Sequence, residues 1–414
     1  MLAIKAVKLI DGTGRAPLEE AVVLVEGAMI AQVGRADAVA IPLDGQVIDA
    51  SGMTVLPGLI DAHVHVQSPG GEEAKSSWLI AEATELLETT ALRSYVHARQ
   101  DLLAGFTAVR DLGARGYVAV ALRDAINSGL LSGPRMRACG QGLTTTGGHM
   151  DQVRWRPGVT ITDGTGVADS PWAFRQAVRH QLKMGADCIK MNVSDRPRRS
   201  GREPDEPYLQ ELTFEEMTAV CTEAHKAQVR VAAHSSGGQG ITDAILAGVD
   251  SLEHAHWLTE EQCDRMAEHE TFYVPTFSVV ARQLSVGREA LGASESVWTW
   301  LNRATEAKAL SLERARRAGV RIAAGTDAGF AVAHGENAAE LELLVQGGMS
   351  PMEAIEAATR VGAELLDMAD LVGTIEPGKR ADLLIVDGDP LRDIRILKDR
   401  SRIKAVLKDG QIVS

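Results

Sequence analysis

No helix face or terminal tail of this sequence gathers lysine and arginine: 43 basic side chains stand against 56 acidic ones, a formal net charge of −13. Nucleic-acid binding needs clustered cations along the phosphate backbone, so that class of partner is disfavoured, and a membrane surface likewise. No uncharged apolar run is long enough to span a bilayer, and the start MLAIKAVKLIDG lacks the basic, apolar and small-residue series of a secretory signal. A cytoplasmic location is expected. The four cysteines, Cys139, Cys188, Cys221 and Cys263, show no CxxC spacing, which argues against a zinc knuckle or redox dithiol and for buried reduced thiols. No Gly-rich phosphate cradle follows the first strand of the central region, which removes a nucleotide-binding sheet.

What is present is apolar bulk, 45% of 414 residues, enough for one large domain and a smaller one. Residues 1–57 read as short strands separated by tight turns such as Asp11-Gly12-Thr13-Gly14. The stretch 372–414 has the same texture, and the two ends are expected to build one composite β-sandwich domain, since neither has enough strands to bury a core alone. From 58 to 371, strand-like runs at 59–66, 106–111, 135–139, 188–193, 229–234, 251–254, 272–276 and 321–327 alternate with helical segments. Helices are predicted at 213–228, 301–319 and 351–368, the last opening after Ser350 as N-cap. Eight alternations over this length predict an α/β fold, a (β/α)8 TIM barrel.

In such a barrel, chemistry sits at the C-terminal ends of the strands. Strand side chains alternate faces, so His63 and His65 in the run GLIDAHVHV point the same way. Reading the remaining ends adds Arg110 and Asp111, then His149 in the Gly-rich TTGGH loop, Lys190, His234, His254 and Asp327. His63, His65, Lys190, His234, His254 and Asp327 are metal-type groups converging on one point. Parity alone leaves His256 open as a substitute for His254.

These motifs resemble the amidohydrolase superfamily. They run from GLIDAHVH through GFTAVRDLG (105–113), Ile189-Lys190, Ala233-His234, SLEH (251–254) and Gly325-Thr326-Asp327 to GTIEPGKRADLLIVDGDP. TTGGH, SLEH and the tail are similar to the imidazolonepropionase-like and Xaa-Pro dipeptidase (prolidase-like) carboxypeptidase branch. The resemblance implies two divalent ions, zinc foremost. His63, His65 and Asp327 would hold one, His234 and His254 the other, and Lys190 would bridge them. Because an ammonium offers only donors, Lys190 would act as a carbamate formed with CO2. A bridging water with a lowered pKa would supply hydroxide, and Asp327 would shuttle its proton to the leaving nitrogen. SLEH selects His254 over His256 and leaves Glu253 facing away as a packing or salt-bridge group. His254 and His149 join Asp327 as catalytic candidates, with His149 touching substrate or supporting the site.

The resemblance implies hydrolysis of an amide bond in a small-molecule, peptide-like or N-acyl amino acid substrate by a homo-oligomeric enzyme. Arg154, Arg156, Arg196, Arg198, Arg199 and Arg202 could grip a substrate carboxylate. The branch's dipeptidases carry a Tyr two residues after the strand 5 histidine, where this chain has Ser236. That departure keeps a cyclic amide, carbamate or urea-type substrate open, and a non-catalytic scaffold of the same fold is the third reading. His97, His180, His225, His269 and His334 lack ligand spacing and read as structural.

Overall fold

The computed structural model describes residues 1–71, 84–151, 164–195 and 208–413. The chain opens with β1 (Leu2–Leu9), β2 (Leu18–Glu26), β3 (Met29–Arg35) and β4 (Gln46–Pro57). β1 and β2 are antiparallel, as are β2 and β3, while β1 runs parallel to β4 with its register shifted between Ala6 and Lys8. Residues 46–57, part of the stretch read as short strands, form one long strand.

Next come β5 (Leu59–Val64), β6 (Phe106–Asp111) and β7 (Arg135–Ala138), a parallel arc. Then follow β8 (Leu143–Thr144), β9 (Gly166–Val167), β10 (Cys188–Asn192), β11 (Ser194–Asp195), β12 (Leu209–Gln210), β13 (Arg230–Gly237), β14 (Ser251–Trp257) and β15 (Phe272–Val274). A second parallel arc has the order β15-β14-β13-β10-β8-β9, and β11 and β12 form a short antiparallel ladder. Every residue of β5, β6 and β10 is buried, as strands covered on both faces require.

The two arcs meet through residues 321–328. Tyr273 bridges Ile322 on one side, and Val64 bridges Ala328 on the other. Ala62 N donates to Ala324 O (2.9 Å) and Asp327 N to His63 O (2.8 Å). On the opposite flank Asp187 N donates to Ala138 O (2.8 Å). The segment expected as a strand at 321–327 is tied to its neighbours by isolated bridges and by backbone bonds on both sides, among them Ala323 N to Tyr273 O (2.9 Å) and His65 N to Ala328 O (2.7 Å), and it packs tightly between them. A Cβ on Gly325 would lie 2.5 Å from Val274 Cγ1 and 2.9 Å from His63 Cβ. Buried Asp61 clasps the segment further, accepting from Thr326 Oγ1 (2.6 Å) and Asn337 Nδ2 (2.8 Å).

The chain closes with β16 (Leu383–Val386), β17 (Ile403–Lys408) and β18 (Gln411–Ile412), which join the first strands in one sheet of order β18-β17-β16-β4-β1-β2-β3. The two chain ends thus share a sheet. β4 connects to β5 through Gly58, where a Cβ would lie 2.2 Å from Thr107 Oγ1, so only glycine lets the chain pass there.

Helices cover the arcs and start where their caps say. Thr213 and Glu216 form a capping box on Phe214–Lys226, and Ser350 and Glu353 form one on Pro351–Ala357. The single helix expected over 351–368 is interrupted at Thr359 (φ −138°, ψ −93°), after which Arg360–Leu365 follows. Gly362 of that second piece lies close to Ile60 of β5. The helix expected at 301–319 begins earlier, spanning Glu295–Arg317 after its Ser294 cap. No helix among the described residues is long and apolar enough to cross a membrane.

Candidate metal centre

The C-terminal ends of the parallel strands line one cavity of about 670 Å³, and it contains His63, His65, Lys190, His234, His254 and Asp327. β5 delivers the first pair. His63 Nδ1 donates to Glu253 Oε2 (2.7 Å) and His65 Nδ1 donates to Gly113 O (3.0 Å). Each ring's Nδ1 proton is thereby used, and Nε2 turns a lone pair towards Asp327, whose Oδ1 is 3.6 Å from His63 Nε2 and 3.3 Å from His65 Nε2. Asp327 itself has a left-handed backbone (φ 60°), which ends the strand-like run and turns the carboxylate inward.

Glu253 is a salt-bridge group as expected, but it does not face away from the site. It is fully buried and, besides accepting from His63, pairs with Arg110 Nη2 (2.8 Å) and accepts from Ser251 Oγ (2.6 Å). Strict alternation puts residues 253 and 254 on opposite faces, but His254 (φ 68°) and Ala255 (φ 33°) leave the extended region and break the parity. Glu253 and His254 therefore both approach His63, whose ring lies 4.9 Å from that of His254.

His254 is oriented from behind. Its Nδ1 meets Thr276 Oγ1 at 2.7 Å, while the Thr276 hydroxyl donates to Pro275 O (2.8 Å). Thr276 is held in a left-handed conformation (φ 48°), and the fully buried Lys308 donates to its carbonyl oxygen. His256 also lines the cavity, but its ring packs between Trp257 (5.6 Å) and Trp300 (5.1 Å).

His234, in β13, sits 4.5 Å from the His254 ring and stacks on His149 at 3.9 Å. Asp195 of β11 reaches both rings of the stacked pair, accepting from His149 Nδ1 (2.9 Å) and standing 3.7 Å from His234 Nε2. Sequence reasoning missed Asp195. Nothing in its local pattern marks it, since it is brought there only by the turn after β10. Lys190 is 4% exposed and faces the cavity, and Ser236 lines it with its backbone N–H donating to Ser194 Oγ (3.0 Å). Arg154, Arg156, Arg196, Arg198, Arg199 and Arg202 lie outside the described residues. Of the histidines read as structural, His334 pairs with Asp101 (2.8 Å) and stacks on His97 (4.7 Å).

The charge states suit a cation. Burial, with the nearby Lys190 charge, lowers His63 to about 3, and burial with His149 lowers His234 to about 3. Burial also holds His254 well below its ordinary value. Burial opposes ionisation of Asp327, yet His65, His63 and Lys190 keep it at about 2. Neutral imidazoles beside an ionised carboxylate are the forms that ligate metal. Two donors each about 2.0–2.2 Å from one ion stand roughly 3.3–3.6 Å apart at tetrahedral angles. The 3.3, 3.6 and 3.7 Å separations here match that spacing to within a tenth or so. Asp327 Oδ1 and His234 Nε2 are buried without a hydrogen-bond partner among the described residues. Two three-residue groups result, His63–His254–Asp327 and His149–Asp195–His234. The donors fit divalent ions.

Residues 54–413 match the model of the amidohydrolase family. The chain belongs to the amidohydrolase family. It is 32% identical to an ochratoxinase of Aspergillus niger, covering 98% of this chain and 85% of the relative. An imidazolonepropionase of Salinispora arenicola is 25% identical, over 96% of this chain and 94% of the relative. Among solved structures, a Xaa-Pro dipeptidase with methionine bound in its active site superposes with a TM-score of 0.87 at 35% identity, covering 100% of this chain and 99% of the other. Family membership makes this chain a hydrolase of carbon–nitrogen bonds with an α/β fold.

Proposed function

We propose that this amidohydrolase is a binuclear metal-dependent enzyme that hydrolyses the amide bond of a peptide-like or N-acyl amino acid substrate. The observation that carries the reading is the pair of buried atoms, Asp327 Oδ1 and His234 Nε2, that have no hydrogen-bond partner among the described residues and are set among neutral imidazoles in one cavity. We read the two parallel arcs and the segment 321–328 as a closed (β/α)8 barrel spanning 58–371, with 1–57 and 372–414 as one smaller domain around the shared sheet.

In this proposal His63, His65 and Asp327 hold one ion, His234 and His254 the other, and Lys190 serves both. Bound divalent ions, zinc foremost, would supply Lewis acidity and a water acidic enough to ionise near neutral pH. Burial lowers the pKa of Lys190, which favours its neutral amine, the form that adds CO2 and releases a proton to become an anionic oxygen donor. Asp327 accepts a proton from the attacking water and passes it to the leaving nitrogen. His149, held by Asp195, directs its other ring nitrogen at the substrate, and His254 is kept in place by Thr276.

A second reading is a cyclic amide. It is favoured by the short Ser236 side chain at the end of β13 and by the similarity to an imidazolonepropionase. The test is one metal analysis followed by a panel of dipeptides, N-acyl amino acids and cyclic amides. About two ions per chain with turnover of the linear amides supports the proposal. A metal-free protein active on that panel, or a loaded one active on cyclic amides alone, would refute it.

A further inference from the structure

We propose that the cavity wall built from Trp300, His256, Val279, Val280 and Leu291 is a subsite for an aromatic ring of the substrate. This inference rests on the amide-hydrolase reading and specifies which amides the site prefers.

Aromatic residues make only 4% of the chain, yet several of them gather at this wall. Trp300 meets Trp257 at 5.5 Å (64°) and His256 at 5.1 Å (83°), and Tyr208 joins Trp257 at 5.9 Å. Rings set near right angles present both negative faces and positive edges, the surface that a guest ring packs against best. Val279 and Val280 on the helix Phe277–Val286, with Leu291, continue the wall with aliphatic surface that a polar group would be desolvated against without compensation. His256 is 5% exposed, and its Nδ1 is buried with no hydrogen-bond partner among the described residues. Such an atom keeps its desolvation cost until a ligand supplies a partner.

The rest of the lining differs in kind and includes Gln67, Glu85 and Arg93, with Arg93 and Glu85 paired. An apolar wall in a cavity that also presents such polar groups favours seating the substrate's ring at Trp300. The subsite also adjoins the proposed chemistry, since the His254 and His256 rings are 6.0 Å apart. The ring therefore belongs to a group attached close to the reacting carbonyl.

The metal-loaded protein should be assayed on two matched pairs that place a ring on either side of the amide. One pair is N-(2-naphthoyl)glycine against N-acetylglycine. The other is N-acetyl-3-(2-naphthyl)alanine against N-acetylalanine. In at least one pair kcat/KM should favour the ring by about tenfold or more. That ratio should fall to within about twofold of unity in Trp300→Ala and recover in part in Trp300→Phe. Leu291→Trp, which fills the corner, should also lower the ratio, and it carries the test if Trp300→Ala does not fold. Ratios near unity in both pairs, or a preference unchanged by Trp300→Ala and Leu291→Trp, would overturn the subsite. If none of the four compounds turns over, the amide-hydrolase reading fails instead, and calorimetric titration with N-(2-naphthoyl)glycine then decides the subsite alone. Binding that weakens about tenfold or more in Trp300→Ala supports it, while absent or equal binding overturns it.

Discussion

The Thr276 hydroxyl has one proton, and it is given to Pro275 O, so towards His254 this oxygen can only accept. His254 must then carry its own proton on Nδ1 and present Nε2 to the cavity. Thr276→Val keeps the branched shape and removes the acceptor, so it should weaken metal binding by about 10–100-fold in chelator competition, whereas Thr276→Ser should stay near wild type. Asp327→Asn keeps an oxygen donor but loses the proton acceptor, and kcat should fall by roughly 10²–10⁴-fold with KM little changed. That the six metal-type residues gather in one cavity was legible because each lies in or beside an apolar run that names its own strand. The place of Glu253, Asp195 and Thr276 beside them was not. Glu253 was hidden because the positive-φ turn at His254 breaks the alternation that reading relied on, and Asp195 and Thr276 act across distances that no local pattern encodes.

At the scale of elements, the helix expected from 213 opens after a cap at Thr213 itself, and Ser350 caps its helix as read. The end of the second helix was not legible, since nothing in Ala357-Ala358-Thr359-Arg360 breaks the helical pattern and the interruption follows from packing around it. The helices Pro171–Lys183 and Phe214–Lys226 are clamped by charge: Glu223 takes Arg179 Nε at 2.6 Å and Arg175 Nη1 at 3.3 Å. The hydrogen bond from Arg179 leads in lowering Glu223 to about 2. A carboxylate whose folded pKa lies below its unfolded value of about 4.5 contributes stability above that pH and loses it as pH falls towards about 2. Glu223→Gln should therefore lower Tm by about 1–3 °C at neutral pH, and the gap should close on acidification through that window. A gap that persists unchanged at the acid end would show that packing, not charge, is what the substitution removes.

For the molecule as a whole, binding of ions to the folded state alone implies that Tm rises with metal concentration and drops on chelation. The stabilisation is about 4 kcal/mol at a thousand times Kd. The same titration should count close to two ions per chain, and Lys190→Ala should lower that number. One firmly held ion with full activity in Lys190→Ala would end the binuclear scheme. The sharing of one sheet by both chain ends was legible from their matching texture, but its form was not, because register between strands so distant in sequence leaves no local trace. Removing 372–414 should expose the apolar flank of β4 that β16 covers and make the protein aggregate, as light scattering would reveal.

The pairing of β4 with β16 also sets an order of events during synthesis. β4 passes through Gly58 directly into the strand that carries His63 and His65, so these histidines leave the ribosome before the other proposed donors. Leu383 to Val386, which close the edge of β4 from Pro57 back to Thr54, emerge only after Asp327. The support beneath the first histidine pair is thus complete only after every proposed donor has been made. A nascent chain holds its earliest donors without the framework that aligns them, so in the proposed scheme productive metal loading follows the synthesis of β16.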